Sequence, residues 1–387
     1  MSDFVFSKNQ DKVIDTLLQW FKSSKNDYIT LGGYAGTGKT TILAHIGKLV
    51  HKEKKEIKIA FCSYTGRASR VLERRLNESG YDFSYDYIGT IHGLIYRPIL
   101  DSRDNIVGWE KIPQEDFNCS LIIVDEASMI SKDIWDDMLS FNVPILAVGD
   151  HGQLPPINGT FNLMDKPQLR LEEIFRQEKD NEIIKVSEIA RKNGKIPFEE
   201  FSRNVKKIRK TDPTTQDILR DIFDSFDNST MVLCGYNKSR IKLNRDIRSL
   251  HFDEEQPQNG DRVICLKNNR NMNIFNGITG TILDISKHSK QGFKYYDTEI
   301  ALDYEDSHFW GKISIEQFNS PTLNDLKIED LNYFDFGYAL TVHKAQGGQA
   351  KRVVLFEERF PKIDDETYAR WLYTAVTRAE EELFIIA

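Results

Sequence analysis

The ten residues from Gly32 to Thr41, GGYAGTGKTT, limit what this chain can fold into more than any other stretch. NDYITLGGY, which leads in, is strand-like and ends in glycines. TTILAHIGKLV, which leads out, sets Ile42, Leu43, Ile46, Leu49 and Val50 on one helical face. Strand, glycine loop and helix together are the context in which such a loop cradles phosphate. Gly33, Gly36 and Gly38 let backbone amides point inward at phosphate oxygens, and the helix N-terminus adds partial positive charge. Lys39 reaches the β- and γ-phosphates of a nucleoside triphosphate, and Thr40 offers its hydroxyl to Mg2+. A glycine turn beside a surface lysine is the plainer alternative, and it leaves the full eight-residue pattern Gly33–Thr40 unexplained.

The rest of the chain repeats the theme of that strand. IKIAFCSYTG, SLIIVDEAS, VPILAVGDHGQ, TMVLCGYN, AKRVVLFEE and EELFIIA are short apolar runs set among helical stretches. This alternation predicts an α/β fold with parallel sheets, whose ligands sit at the carboxyl ends of the strands. Two stretches depart from it. LIYRPILDSRDNIVGWEKIP predicts a small hairpin turning at Ser102–Asn105. Residues 255–333, with GDRVICLKNN, FNGITGTILDIS and YYDTEIALDY, predict a small β-barrel-like insertion. The expected division is a first domain over 1–167 with its hairpin at about 95–117. A second domain takes 168–254 and 334–387, interrupted by the insertion.

Composition excludes several classes. The longest uninterrupted apolar run is LFIIA, too short to span a membrane. MSDFVFSKNQ lacks the basic-then-apolar layout of a secretory signal. Cys62, Cys119, Cys234 and Cys265 are isolated, without zinc spacing, and three lie in strand-like stretches as small buried hydrophobes. Together these predict a reducing, cytoplasmic setting. The net charge of −7 argues against a surface coated in basic charge for non-specific nucleic-acid binding, and leaves room for a local groove.

Three further groups fit phosphate chemistry. Asp125 and Glu126 end a strand: the first can hold the Mg2+ shell, the second can take a proton from attacking water. Read in isolation, an Asp-Glu pair after a strand is commonplace. In GDHGQLPPI, the neutral amide of Gln153 can sense the γ-phosphate and a nearby water, unless the stretch is only a polar loop stopped by proline. Arg176 in EEIFRQ and Arg378 in YTAVTRAEEE offer guanidinium forks for charge that builds during phosphoryl transfer. Either arginine by itself reads as a surface ion pair.

Gln10, GYAGTGKTT, SYTGRAS, TIHGL, VDEAS, GDHGQLPP, EEIFRQ, LTVHKAQG and YTAVTRA follow in order along the chain. This set resembles the superfamily-one helicases, specifically the branch of RecD-like and Dda-like enzymes, from about residue 7 to the C-terminus. The resemblance implies two RecA-like domains, an SH3-like barrel as the second domain's insertion, and ATP and Mg2+ as cofactors. It implies a motor that tracks 5′ to 3′ on single-stranded DNA and hydrolyses ATP between its domains. It makes Gln10 the adenine reader. It completes the nucleotide set with Ala35, Thr37, Thr41 and Gly347, and makes Arg176 and Arg378 the second domain's fingers. It places Thr65, Arg67, His92, Asn237, Thr341, His343 and Lys344 at the nucleic-acid backbone. Read from the residues, Thr65, His92, Thr341 and His343 are small donors in loops at strand ends, which suit phosphate contact or ordinary loop capping.

The chain departs from the family pattern at Tyr64, where proline is common, and at Gly348 and Gln349, where a hydroxyl and often an acidic residue follow the family's glycine. Tyr64 loosens its loop and offers an aromatic surface for a base. The insertion is too short for a large accessory tower. The family carries a pin-like hairpin between TIHGL and VDEAS, where Ile106 and Trp109 would form the face that meets the last base pair. Trp109 packed against the core is the other reading. The function expected is a monomeric DNA helicase on single strands and duplex junctions, open to a single-strand-binding, repair or defence partner protein. A DNA-stimulated translocase without strong unwinding uses the same motifs. A nucleotide-dependent protein switch would lack the second-domain arginines.

Overall fold

The computed structural model describes residues 6–23, 27–54, 56–82, 84–100, 106–155, 161–173, 181–267, 269, 272, 274, 276–290, 293–303, 308–324, 330–361 and 363–387. The chain divides into two compact units, Met1–Arg97 with Glu110–Glu188, and Pro98–Trp109 with Ile189–Ala387.

Eight strands come first: β1 (Tyr28–Gly33), β2 (Ile59–Ser63), β3 (Tyr87–Thr90), β4 (Tyr96–Leu100), β5 (Ile106–Lys111), β6 (Leu121–Asp125), β7 (Ile145–Gly149) and β8 (Leu169–Leu171). Six of them form one sheet in the order β3-β2-β6-β7-β1-β8, every neighbouring pair parallel. Side chains alternate across it. Ile59, Phe61, Ile123 and Val148 face α1 (Lys8–Lys22), α2 (Lys39–Glu53) and α3 (Gly66–Glu78), where Leu17, Leu43 and Leu76 are buried. Ala60, Cys62, Val124 and Ala147 face α4 (Ile91–Ile95) and α5 (Lys132–Leu139), with Ile95, Trp135 and Met138. Cover on both faces is why these strands read as unbroken apolar runs.

Parallel pairing brings the carboxyl ends to one edge. Gly32 stands beside Gly149, and Ser63 beside both Asp125 and Thr90. The phosphate loop, the loops that begin at Tyr64, Glu126 and Asp150, and α4, which begins at Ile91, therefore all leave the same edge. Strand β8 corrects the expected boundary at 167/168. It pairs with β1 and buries Leu171 in the first core, so the first sheet runs past that boundary. The expected hairpin is present as the β4–β5 pair, and its turn at Ser102–Asn105 lies outside the described residues.

After α6 (Glu182–Asn193) come β9 (Glu200–Ser202), β10 (Val205–Ile208), α7 (Pro213–Asp224), β11 (Thr230–Cys234) and α8 (Asn237–Arg248). The β-rich stretch holds β12 (Arg262–Cys265), β13 (Thr279–Lys290), β14 (Phe293–Leu302), β15 (His308–Ser314), β16 (Leu331–Asn332) and β17 (Phe334–Phe336). Then follow β18 (Ala339–Thr341), β19 (Ala350–Phe356), α9 (Asp365–Val376) and β20 (Ala379–Ile386). A second sheet has the order β18-β11-β19-β20-β10-β9, parallel except for β9. Its register sets Cys234 beside Thr341, so the loops after β11 and β18 also share an edge.

The β-rich stretch is a meander that closes on itself, antiparallel except where β16 runs parallel to β15. The run Leu331–Phe336 pairs with β15 at its start and with β12 at its end, around Ile300, Phe309 and Phe334. Its last strand reaches Phe336, three residues beyond the expected end at 333, because Phe334 is needed in that core. All four cysteines are free and buried. No helix among the described residues is long and apolar enough to cross a membrane.

Candidate functional site

The phosphate loop is held from inside and from below. Gly38 has φ 80°, a left-handed conformation that begins α2. A Cβ on Gly33 would stand 2.7 Å from Thr37 Oγ1, so the loop closes only over a glycine there. The Thr37 hydroxyl donates to the Tyr34 carbonyl at 2.8 Å. Lys39 Nζ donates to the carbonyls of Gly33 at 2.7 Å and Tyr34 at 3.0 Å. Ala35 and Thr41 are half-buried in the loop and the first helical turn.

Gln10 is 3% exposed, and both ends of its amide are engaged. Its Oε1 accepts from the Ser7 N–H at 2.9 Å, half of a capping box that starts α1. Its Nε2 donates to the Thr37 carbonyl at 3.0 Å. The residue expected to read adenine thus couples the start of α1 to the phosphate loop.

Asp125 closes β6, and Glu126 follows with φ 55°, a left-handed conformation in a residue with a side chain. The Glu126 N–H donates to Asp125 Oδ1 at 2.9 Å. Burial pushes the Asp125 carboxyl above the usual carboxylate range, against the pull of Lys39, that N–H and Arg75. Arg75 Nη1 is 3.5 Å from Thr40 Oγ1. Thr40 and Asp125 therefore share a cationic neighbour. One hydroxyl and one buried carboxylate suit Mg2+, which takes its remaining ligands from water and phosphate.

Asp150 shapes the loop after β7. It accepts from the Gly152 N–H at 2.9 Å, and Gln153 Nε2 approaches it at 3.5 Å with Gln153 5% exposed. His151 packs its ring 4.2 Å from that of Tyr34. Burial lowers the His151 pKa, with Arg170 and Lys39 adding to the effect and Asp150 opposing it.

In the second unit, Thr341 ends β18, and His343, Lys344 and Gly347 lie on the loop that follows. The Thr341 carbonyl accepts from the Lys344 N–H at 2.9 Å, and Gly347 is left-handed at φ 72°. Arg378 is 2% exposed. Its Nε donates to the Thr374 carbonyl at 3.0 Å, its Nη1 to the Gly348 carbonyl at 3.0 Å and its Nη2 to Thr377 Oγ1 at 3.3 Å. This overturns the surface ion pair as a reading of Arg378, because the guanidinium is buried on backbone oxygens. Lys344 is pushed down to about 8 by burial and by Arg240, against Asp335. Burial also lowers the His343 pKa. Asn237 begins α8, where the Gly235 and Tyr236 amides donate to Glu358 Oε2 at 2.8 and 3.1 Å. Those two amides serve Glu358.

The family model "AAA domain" matches residues 19–159, which span the phosphate loop through the Gln153 loop. "UvrD-like helicase C-terminal domain" matches residues 336–386, which carry Thr341 and Arg378. The ATP-dependent RecD2 DNA helicase of Deinococcus radiodurans is 27% identical over 98% of this chain and 48% of its own length. The ATP-dependent DNA helicase dda of Enterobacteria phage T4 is 23% identical over 98% of this chain and 99% of its own. The chain is similar along nearly its whole length to these ATP-dependent DNA helicases. Its fold is that of a Pif1 helicase from Bacteroides solved with ADP-AlF3 and single-stranded DNA, at TM-score 0.53 and 17% identity over 99% of this chain and 92% of that one. The chain spans about half the length of the Deinococcus relative.

The remaining family positions fall unevenly. Thr65 caps α3, accepting from the Ala68 N–H at 3.2 Å. His92 is half-buried, its ring 5.5 Å from Tyr96 and 6.2 Å from Tyr64. Trp109 is half-buried, and its indole nitrogen is covered with no acceptor among the described residues. Arg176 and the side chains of Arg67 and Ile106 lie outside the described residues. Sequence reasoning missed Arg75, His151, Arg240, Asp335 and Glu358. Arg75 carries no motif signal, since only the pitch of α3 brings it to Thr40. Arg240 and Asp335, 2.8 Å apart and both buried, are distant in sequence and meet only in the fold.

Proposed function

We propose that this chain is an ATP-dependent DNA helicase that moves 5′ to 3′ along single-stranded DNA and separates duplex ahead of it. The observation that carries the reading is the shared edge of the first sheet. Five segments leave it together, and the reading gives one to phosphates, one to Mg2+ and water, one to sensing and two to a nucleic-acid backbone. Thr40 and Asp125 would hold Mg2+, which would offset phosphate charge when bound, Glu126 would accept the proton of the attacking water, and Arg378 would stabilise the transferring phosphoryl group. The RecD2 and dda relatives, named as ATP-dependent DNA helicases, support the same reading. The chain acts as a monomer on single strands and duplex junctions. It works in the cytoplasm, whose reducing conditions suit the four buried thiols.

The test is ATPase activity with and without single-stranded DNA, followed by unwinding of 5′-tailed and 3′-tailed duplexes. Stimulation by the single strand and preference for the 5′ tail are expected. ATPase indifferent to DNA, or displacement mainly from the 3′-tailed duplex, would overturn it.

A further inference from the structure

Two of the arginines on α3 pair within their own helix. Arg70 meets Glu73 at 3.4 Å and Arg74 meets Glu78 at 3.9 Å, on its exposed side. Pairs at this spacing are ordinary helix-surface contacts. Arg75 reaches off the helix. It is half-buried, and Leu72 and Leu76 beside it, 1% and 0% exposed, hold that face of α3 in the first core. Its Nη1 faces Thr40 Oγ1 at 3.5 Å, long for a hydrogen bond and short for the reach of a charge.

That is a costly place for a cation. Thr40 lies in the first turn of α2, and this end of a helix carries partial positive charge. Lys39 stands in the same turn, with Nζ on the Gly33 and Tyr34 carbonyls. A guanidinium brought there from another helix is repelled by both, unless an anion belongs beside it. Asp125 is one such anion. Burial pushes its carboxyl up, while Lys39, the Glu126 N–H and Arg75 favour its charged form. Arg75 thus stands with the hydroxyl and the carboxylate that the proposed function gives to Mg2+.

A basic residue in the last turn of a helix has a plain duty, which is to offset that helix's own C-terminal charge. That duty does not require the guanidinium to face Thr40. Phosphate chemistry does give the arrangement a use. A nucleotide's phosphates and Asp125 repel one another across this site. When bound, Mg2+ supplies charge that relieves the repulsion. A guanidinium beside the same hydroxyl relieves part of it beforehand.

We propose that Arg75 is the resident counter-cation of the metal site, which lets the phosphate loop hold nucleotide before metal is bound. Its charge offsets Asp125 and the nearest phosphate oxygens beside the Thr40 hydroxyl. The inference rests on the ATPase reading of this site and adds to it a residue that none of the motifs contains.

Fluorescence titration of the full chain with N-methylanthraniloyl-ADP tests it, once in excess EDTA and once in excess Mg2+. Arg75→Gln should weaken metal-free binding by about tenfold, the loss of one charge-assisted contact. With Mg2+ its affinity should stay within about twofold of wild type, because the metal then carries the neutralising charge. That retained affinity also reports that the variant folds. By linkage, Mg2+ should bind the variant's nucleotide complex about tenfold more tightly than it binds the wild-type complex. Arg75→Lys keeps the charge and should retain most of the metal-free affinity. Equal losses with and without metal would confine Arg75 to shaping the pocket and overturn the proposal. Metal-free affinity unchanged in Arg75→Gln would overturn it as well. The nucleotide-site reading is judged separately, by whether wild type binds this probe and Lys39→Ala weakens binding in both conditions.

Discussion

Arg378 Nη1 donates to the Gly348 carbonyl at 3.0 Å, which fastens the end of α9 to the loop carrying Thr341, His343 and Lys344. A second donor, Nε, holds the Thr374 carbonyl at the last turn of the helix. The arginine is thus a clamp on that loop, and under the proposed function it is also a charge for phosphoryl transfer and the loop a DNA contact. A charge-stabilising donor is worth about 3–4 kcal/mol of barrier, so Arg378→Ala should lower DNA-stimulated turnover by about a hundredfold or more. A finger with no structural duty would leave DNA affinity intact. The clamp predicts weaker single-strand binding as well, and Arg378→Lys should not restore it, because a lysine cannot reproduce the planar fork. Anisotropy on both variants decides this. Native DNA affinity in Arg378→Ala would limit the residue to the chemistry.

Lys39 and Glu126 should fail in different ways. Lys39 Nζ already sits on the loop carbonyls of Gly33 and Tyr34, where phosphate oxygens would draw it. Lys39→Ala should weaken nucleotide binding and hydrolysis together. Glu126 acts on water, so Glu126→Gln should bind nucleotide nearly normally while turnover falls by on the order of a hundredfold or more. Titration with a fluorescent nucleotide separates the two, and equal reductions in affinity would remove the assigned roles.

If the loop after β18 contacts DNA as proposed, Lys344 should make that contact pH-dependent. Burial and the neighbouring Arg240 push this amine down to about 8. It is therefore protonated and phosphate-attracting below that pH and neutral above it. Single-strand affinity should fall as pH rises through about 8, and Lys344→Arg should flatten the profile because the guanidinium stays charged. Burial sets most of the effect, and the Arg240–Asp335 pair trims it, the arginine lowering and the carboxylate raising the pKa. Asp335→Asn removes the carboxylate that holds the amine up, so the fall should move to lower pH. Breaking this buried pair should also cost about 3–5 kcal/mol of stability, measurable by denaturant unfolding. A pH profile identical in wild type and Lys344→Arg would exclude that role for Lys344.

How much of the fold and site is legible in the sequence follows from the range of the forces involved. The phosphate loop is local: glycine spacing, strand before and helix after are all within a dozen residues, and Gly33 ends β1, Gly38 caps α2 and Lys39 and Thr40 begin it. Strand-end motifs are readable for a related reason, since parallel sheets put every carboxyl end on one edge. The edge strand β8 escapes a sequence reading because Leu169–Leu171 is too short to show periodicity, and only its pairing with β1 reveals it. Arg75 escapes because a basic residue on an exposed-looking helix has no signal of its own. The inward orientation of Arg378 is equally hidden, because its acceptors are mainly backbone carbonyls that any sequence would supply.

The β4–β5 hairpin has the anchorage that strand separation demands. Its root is held across its two strands and to α5 by side chains. Arg97 Nε meets Glu110 Oε1 at 2.8 Å, and the Tyr96 hydroxyl donates to Asp137 Oδ2 at 2.5 Å. The Ile112 N–H donates to the Ile95 carbonyl at 3.0 Å, which closes the base of the hairpin. A motor on one strand needs such a fixed wedge to divide the duplex. The covered indole nitrogen of Trp109 weighs toward a packing role for that ring. The hairpin as a whole is the separating element proposed here. Replacing residues 98–109 with a short glycine-serine turn keeps Arg97, Glu110 and the root hydrogen bonds. The variant should retain DNA-stimulated ATPase and single-strand translocation, while base pairs opened per ATP hydrolysed fall sharply. A Trp109→Phe variant separates the ring from the hairpin: it keeps aromatic bulk without the buried N–H, so it should unwind normally and be no less stable. Unwinding per ATP unchanged in the shortened variant would place the separating element elsewhere and leave the hairpin as scaffold.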